Sequence, residues 1–205
     1  MDADAEAPLT AWEATWRYVA GIPVILLIGW FAFIHDRPVP ILSGLDLATH
    51  EFGHFAVFWA PRLVVLAMGS LFQIAFPLSI AVYFAFKREW LGAGLCAAWA
   101  GAACHAVSLY IADAPYGALP LIGTEHDWSA ILYEFSAVHR AASLAAFVKD
   151  VGVVFWTGGL ALCAAGPYFV RRKREHTTTD EAHMDDRMRQ SAWAVVPPWD
   201  RRPRT

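Results

Sequence analysis

Four stretches of this chain contain no Asp, Glu, Lys or Arg: Tyr18 to Ile34, Leu63 to Phe86, Leu91 to Ala112 and Val151 to Val170. Only 17% of the 205 residues are charged while 57% are hydrophobic, and the mean hydropathy is +0.38, which excludes an ordinary water-soluble domain. Cysteine is sparse too. Cys96, Cys104 and Cys163 all lie in apolar runs, an odd number at spacings that fit no disulfide framework or thiolate metal site, so they read as small packing residues. A basic folded face is missing, which sets nucleic acid aside as a partner. The one dense cationic cluster, Arg171 to Arg174, directly follows an apolar run, where a cytoplasmic anchor belongs. The first 16 residues are acidic, through Asp2, Asp4, Glu6 and Glu13, so no cleavable signal peptide is expected.

What is present is length. At about 1.5 Å of rise per residue, the apolar runs can cross a hydrocarbon core of roughly 30 Å. The expected fold is an all-α integral membrane protein: a bundle of four transmembrane helices plus one short buried or re-entrant helix. Residues 1–16 form a polar leader, 17–170 the membrane-embedded domain, and 171–205 a tail expected to be cytoplasmic and disordered. That tail carries 9 Lys/Arg and 6 Asp/Glu, against 7 and 13 in residues 1–170. Between the third and last runs, Pro115, Pro120 and Gly123 mark a loop, followed by an amphipathic stretch from Trp128 to Lys149.

The short helix is the informative one. Ser43 and Asp46 form a helix-start pattern and Pro61 a stop, giving a helix over 45–60 that carries Asp46, Thr49, His50, Glu51 and His54. It is too short to span and too polar to face lipid, so enclosure by the other helices is expected. His50-Glu51-Phe52-Gly53-His54 fits His-Glu-x-x-His. On a helix, positions i and i+4 share a face, so the two imidazoles can bind one Zn²⁺, with Glu51 placed as general base towards a water held by the metal. Ionisable groups at membrane depth are functional candidates by default.

At these residues the chain resembles the site-2 protease family of intramembrane zinc metalloproteases, as a minimal and divergent member. The resemblance is carried by Ala48 to His54, by Gly69-Ser70-Leu71-Phe72-Gln73 with Pro77 in the next span, and by Asp113 after Ile111-Ala112. It covers about residues 45 to 115. It implies a membrane zinc endopeptidase with an Asp as third ligand. The family carries that Asp in Leu-Asp-Gly, whereas this chain reads Ala112-Asp113-Ala114, and no PDZ-like insert is present.

Candidates for the third ligand are Asp113, His105, His126 and Asp127. The positive-inside rule places residues 171–174, Lys87 and Arg88 in the cytoplasm and the loop after Asp113 outside. A second helix that fully crossed would put His54 about 14 Å deep but Asp113 about 33 Å along its own span; His105 would then fit better. A helix entering from outside and returning brings His50, His54, Asp113, His126 and Asp127 towards one face, and its shortness favours this version. Asp113 is therefore the expected ligand, with His126 and Asp127 as alternatives. Gln73 is a candidate oxyanion or substrate contact, or a bridge between helices.

The expected function is hydrolysis of peptide bonds in membrane-associated or transmembrane substrates, by a multi-pass protein of a cell membrane in contact with the lipid bilayer. The competing readings are a small electron-transfer protein with haem between His50 or His54 and His105, and a catalytically silent zinc-binding partner protein.

Overall fold

The computed structural model describes residues 11–120 and 125–195. The described residues contain helices and no strand: α1 (Ala11–Gly29), a π-helical turn (Trp30–Ile34), α2 (Leu42–Ala56), α3 (Arg62–Phe86), α4 (Trp90–Asp113), α5 (Asp127–Glu134), a 3₁₀ turn (Val138–Arg140) and α6 (Ala141–Val195). Four segments are long and apolar enough to cross a membrane: Thr15–Ile34, Arg62–Phe86, Trp90–Asp113 and Val138–Phe169. The polar leader is helical from Ala11 onward, and its first ten residues lie outside the described part.

Glycines set the central contact. A Cβ on Gly101 would meet the Gly152 carbonyl at 2.6 Å, and one on Gly152 the Gly101 carbonyl at 2.7 Å. Gly94 and Gly159 repeat this exchange at 2.7 and 2.5 Å. α4 and α6 thus run antiparallel with their backbones touching at two levels seven residues apart, as small residues permit where no water drives apolar helices together. α1 joins them: Trp156 Nε1 donates to the Ile25 carbonyl at 2.8 Å, and Tyr18, Ile25, Ile28, Ala98, Ala102 and Cys163 form one core cluster. Cys104 and Cys163 are buried there, consistent with packing.

α2 and α3 form an antiparallel hairpin, and α2 does not traverse the bundle. Val39 and Leu42 pack against the core cluster, and the Asp46 carboxylate accepts from Trp99 Nε1 at 2.8 Å. Trp99 lies 14 residues before Asp113, about 21 Å along α4. From there α2 climbs to the end of the bundle where α3 begins and α5 lies. The segment between α1 and α2 is pinned by Asp36, which accepts from Lys149 at 2.5 Å and pairs with the buried His105 at 3.0 Å. The Lys149 ammonium, then the His105 ring, hold the Asp36 carboxyl below the usual carboxylate range. Asp36 and Ile41 both adopt positive φ, 54° and 71°, so this reversal is held against backbone preference.

Three expectations change. α2 is not enclosed: Asp46, His50 and Gly53 face inward while Leu45, Leu47, Phe52 and Phe55 are exposed, an amphipathic helix turned polar side in. It covers Leu42–Ala56, shifted towards the amino terminus. The amphipathic stretch after Trp128 divides into α5, a turn at Ser136 (φ 51°) and the start of α6. α6 takes in Lys149, paired with Asp36, and Asp150, and it continues as helix to Val195 where a disordered tail was expected; between Pro167 and Pro197 no proline interrupts it. Residues 196–205 lie outside the described part.

Gly101→Leu should lower the thermal unfolding temperature in detergent, by the equivalent of about 1–3 kcal/mol of overpacking. Gly158→Leu, with open space around its Cβ position, should leave it unchanged; equal loss in both would contradict the packing described.

Candidate metal centre

α2 presents His50 and His54 on one face, and α3 supplies the wall behind them. The Nδ1 of His54 donates to the Val65 carbonyl at 2.8 Å. The Nδ1 of His50 meets Gln73 Oε1 at 3.1 Å. A carbonyl oxygen only accepts, so each Nδ1 carries a proton and each ring turns Nε2 outward, the nitrogen that holds the lone pair when the imidazole is neutral. Gly69 makes room for this: a Cβ there would stand 2.6 Å from His54 Cε1 and Nε2 and 2.7 Å from His50 Nε2. The rings meet edge to face at 4.7 Å between centroids.

The third group comes from α5. Asp127 Oδ2 lies 3.0 Å from His50 Nε2 and 3.2 Å from His54 Nε2. Several anchors set α5 in place. Trp128 Nε1 donates to Ser70 Oγ at 2.9 Å, Ser129 Oγ to the Ala114 carbonyl at 2.6 Å, and the Asp127 N–H to the Tyr110 hydroxyl at 3.1 Å. His126 caps the helix, its Nδ1 accepting from the Ser129 N–H at 3.3 Å.

Both Nε2 atoms thus converge on one carboxylate oxygen, which lies within hydrogen-bond distance of His50 Nε2, and the same three atoms would hold a cation seated among them. The fit is quantitative: ligand atoms about 2.0–2.1 Å from a tetrahedral ion stand about 3.3 Å apart, close to the separations seen. His50, His54 and Asp127 can hold a metal ion. Hydrogen bonds from both Nδ1 atoms are the outer support that metal-binding histidines ordinarily have.

The other candidates take different places. Asp113, the expected third ligand, caps the loop beyond α4: its carboxylate accepts from the N–H groups of Ala118 and Leu119, both at 3.0 Å. It lies outside the His50–His54 group, whose carboxylate is Asp127, the alternative in the following loop. The physical reason is that helix α5 returns the chain over the site. His126 faces Asp113, with Nε2 3.5 Å from Oδ2, and among the described residues that buried nitrogen has no hydrogen-bond partner. Gln73 is buried behind His50 and bridges α2 to α3, so its carbonyl serves the imidazole rather than a substrate. His105 turns to Asp36 and Phe33, away from a place as haem partner to His50 or His54. Glu51 is exposed on the flank of the ligand face, about 100° round α2 from His50 and 60° from His54 by helix geometry.

Reasoning from sequence missed Tyr110, which lies edge-on to His50 at 5.8 Å and stacks on His126 at 4.1 Å. The available signal was its position one turn before Asp113, on the side of α4 that meets α5. The Val65 carbonyl left no signal, being backbone. No protein-family profile matches this chain, and comparison with curated proteins and with solved structures finds no similar chain.

Asp127→Ala should weaken metal binding about 100-fold or more while Asp113→Ala retains it, and Gln73→Leu should cost about 10–100-fold through the lost support of His50. Metal titration of the three purified variants checks this; loss in Asp113→Ala with retention in Asp127→Ala would reverse the assignment.

Proposed function

We propose that this protein is a zinc-dependent membrane endopeptidase, similar in site chemistry to the site-2 protease family, hydrolysing peptide bonds of membrane-associated or transmembrane substrates. What carries this reading is the convergence of two imidazole lone pairs and a carboxylate beside a helix that also bears Glu51. Two His and one carboxylate leave further coordination positions open, the pattern of catalytic rather than structural zinc. A bound Zn²⁺ supplies a Lewis acid that polarises the scissile carbonyl and acidifies water.

The protein's own part is proton handling and placement. Glu51 takes a proton as the water oxygen attacks the carbonyl carbon, then delivers it to the nitrogen as the C–N bond breaks. Its exposed flank gives water a route to it. A helical substrate must unwind locally before cleavage, because its carbonyls are engaged in i to i−4 hydrogen bonds.

The four apolar helices support residence in a cell membrane. Trp90 and Phe169 touch at 4.9 Å between ring centroids, so Lys87, Arg88 and the 171–174 cluster lie at one end of the bundle. By the positive-inside rule that end is cytoplasmic, and the metal centre opens towards the opposite face.

Glu51→Gln should lower turnover of a cleaved membrane-protein substrate by about 10²–10⁴-fold with zinc content retained. Full activity in that variant, measured in reconstituted vesicles, would remove Glu51 from the chemistry and the peptidase reading with it.

A further inference from the structure

The Tyr110 hydroxyl accepts the Asp127 N–H at 3.1 Å, and among the described residues its own proton has no acceptor. The ring is fixed from both sides. It stacks on His126 at 4.1 Å and 20°, and its edge meets His50 at 5.8 Å. His126 is held in turn by the Ser129 N–H at Nδ1, and its Nε2 stands 3.5 Å from Asp113 Oδ2 without a hydrogen bond. Asp113 is itself fixed by two backbone N–H groups. His126, capped onto α5, therefore supports through its stacked ring a phenol beside the metal group.

We propose that Tyr110 is a further catalytic residue, whose hydroxyl donates a hydrogen bond to the substrate carbonyl oxygen as that oxygen gains negative charge. This rests on the peptidase reading above. The phenol suits such a role because its oxygen is anchored by the Asp127 N–H and its proton is uncommitted. Its orientation is also set before substrate arrives, which gives donors of this kind their leverage.

The test uses zinc-loaded full-length protein in detergent, as wild type and Tyr110→Phe. Three readouts are taken: zinc affinity, binding of acetohydroxamate as a metal-directed oxygen probe, and kcat and KM on a peptide that wild type cleaves. The expected result for Tyr110→Phe is unchanged zinc affinity, about 10-fold weaker acetohydroxamate binding, and kcat lower by about 10²–10³-fold with KM within threefold. Wild-type kcat and acetohydroxamate affinity in Tyr110→Phe would overturn the proposal, leaving Tyr110 as a rest for Asp127. Loss of zinc affinity in that variant would likewise reduce it to a support of the site. Wild type that binds zinc yet hydrolyses nothing would remove the peptidase reading instead, a failure distinct from that of Tyr110 alone.

Discussion

The bond from His54 Nδ1 to the Val65 carbonyl sets the orientation of the candidate metal centre. Because a backbone carbonyl has no proton to give, it places an imidazole hydrogen on Nδ1 and turns Nε2 towards Asp127. Gln73 does the same for His50 from the next turns of α3. Both bonds need α2 and α3 in close contact, and that contact exists because Gly53 and Gly69 carry no side chains where the helices meet. A methyl at Gly69 would occupy the space of the two imidazoles, so one small residue serves both the packing and the site.

The rest of the fold supports that hairpin. Glycine pairs lock α4 to α6, which makes a rigid wall from which Trp99 holds the deep end of α2 through Asp46, and Tyr110 steadies Asp127. The Asp36 latch onto His105 and Lys149 closes the reversal between α1 and α2. α5 then brings a carboxylate over the open side of the imidazole pair. Residues scattered from position 50 to position 127 meet because each supporting helix is fixed by packing that has no part in the chemistry.

Much of this was legible in the sequence. Uncharged runs gave the four long helices to within a few residues at most ends, since length and composition alone govern them. The Gly and Ala of α4 are visible in the sequence, but that their partner is α6 is not. His50, Glu51 and His54 stood out through helical periodicity, and the shortness of α2 foretold that it would not cross. What remained hidden depended on tertiary contact. Asp113 and Asp127 are both acidic residues near one end of the bundle, and only the return of α5 over α2 separates a loop cap from a ligand. The amphipathic exterior of α2 was hidden for the same reason: a polar helix in an apolar chain reads as enclosed until its aromatic face, Phe52 and Phe55, is seen pointing outward. The helical course of α6 beyond residue 175 went unread because its polar composition says little about helix when no packing partner is defined.

The most direct test of the metal centre is X-ray absorption at the zinc edge on protein purified in detergent with zinc. Zinc bound by two imidazole nitrogens and carboxylate oxygen, with bonds of about 2.0–2.2 Å, is the predicted result. Protein that takes up no zinc, or zinc bound with fewer than two imidazoles, would contradict the account at its root.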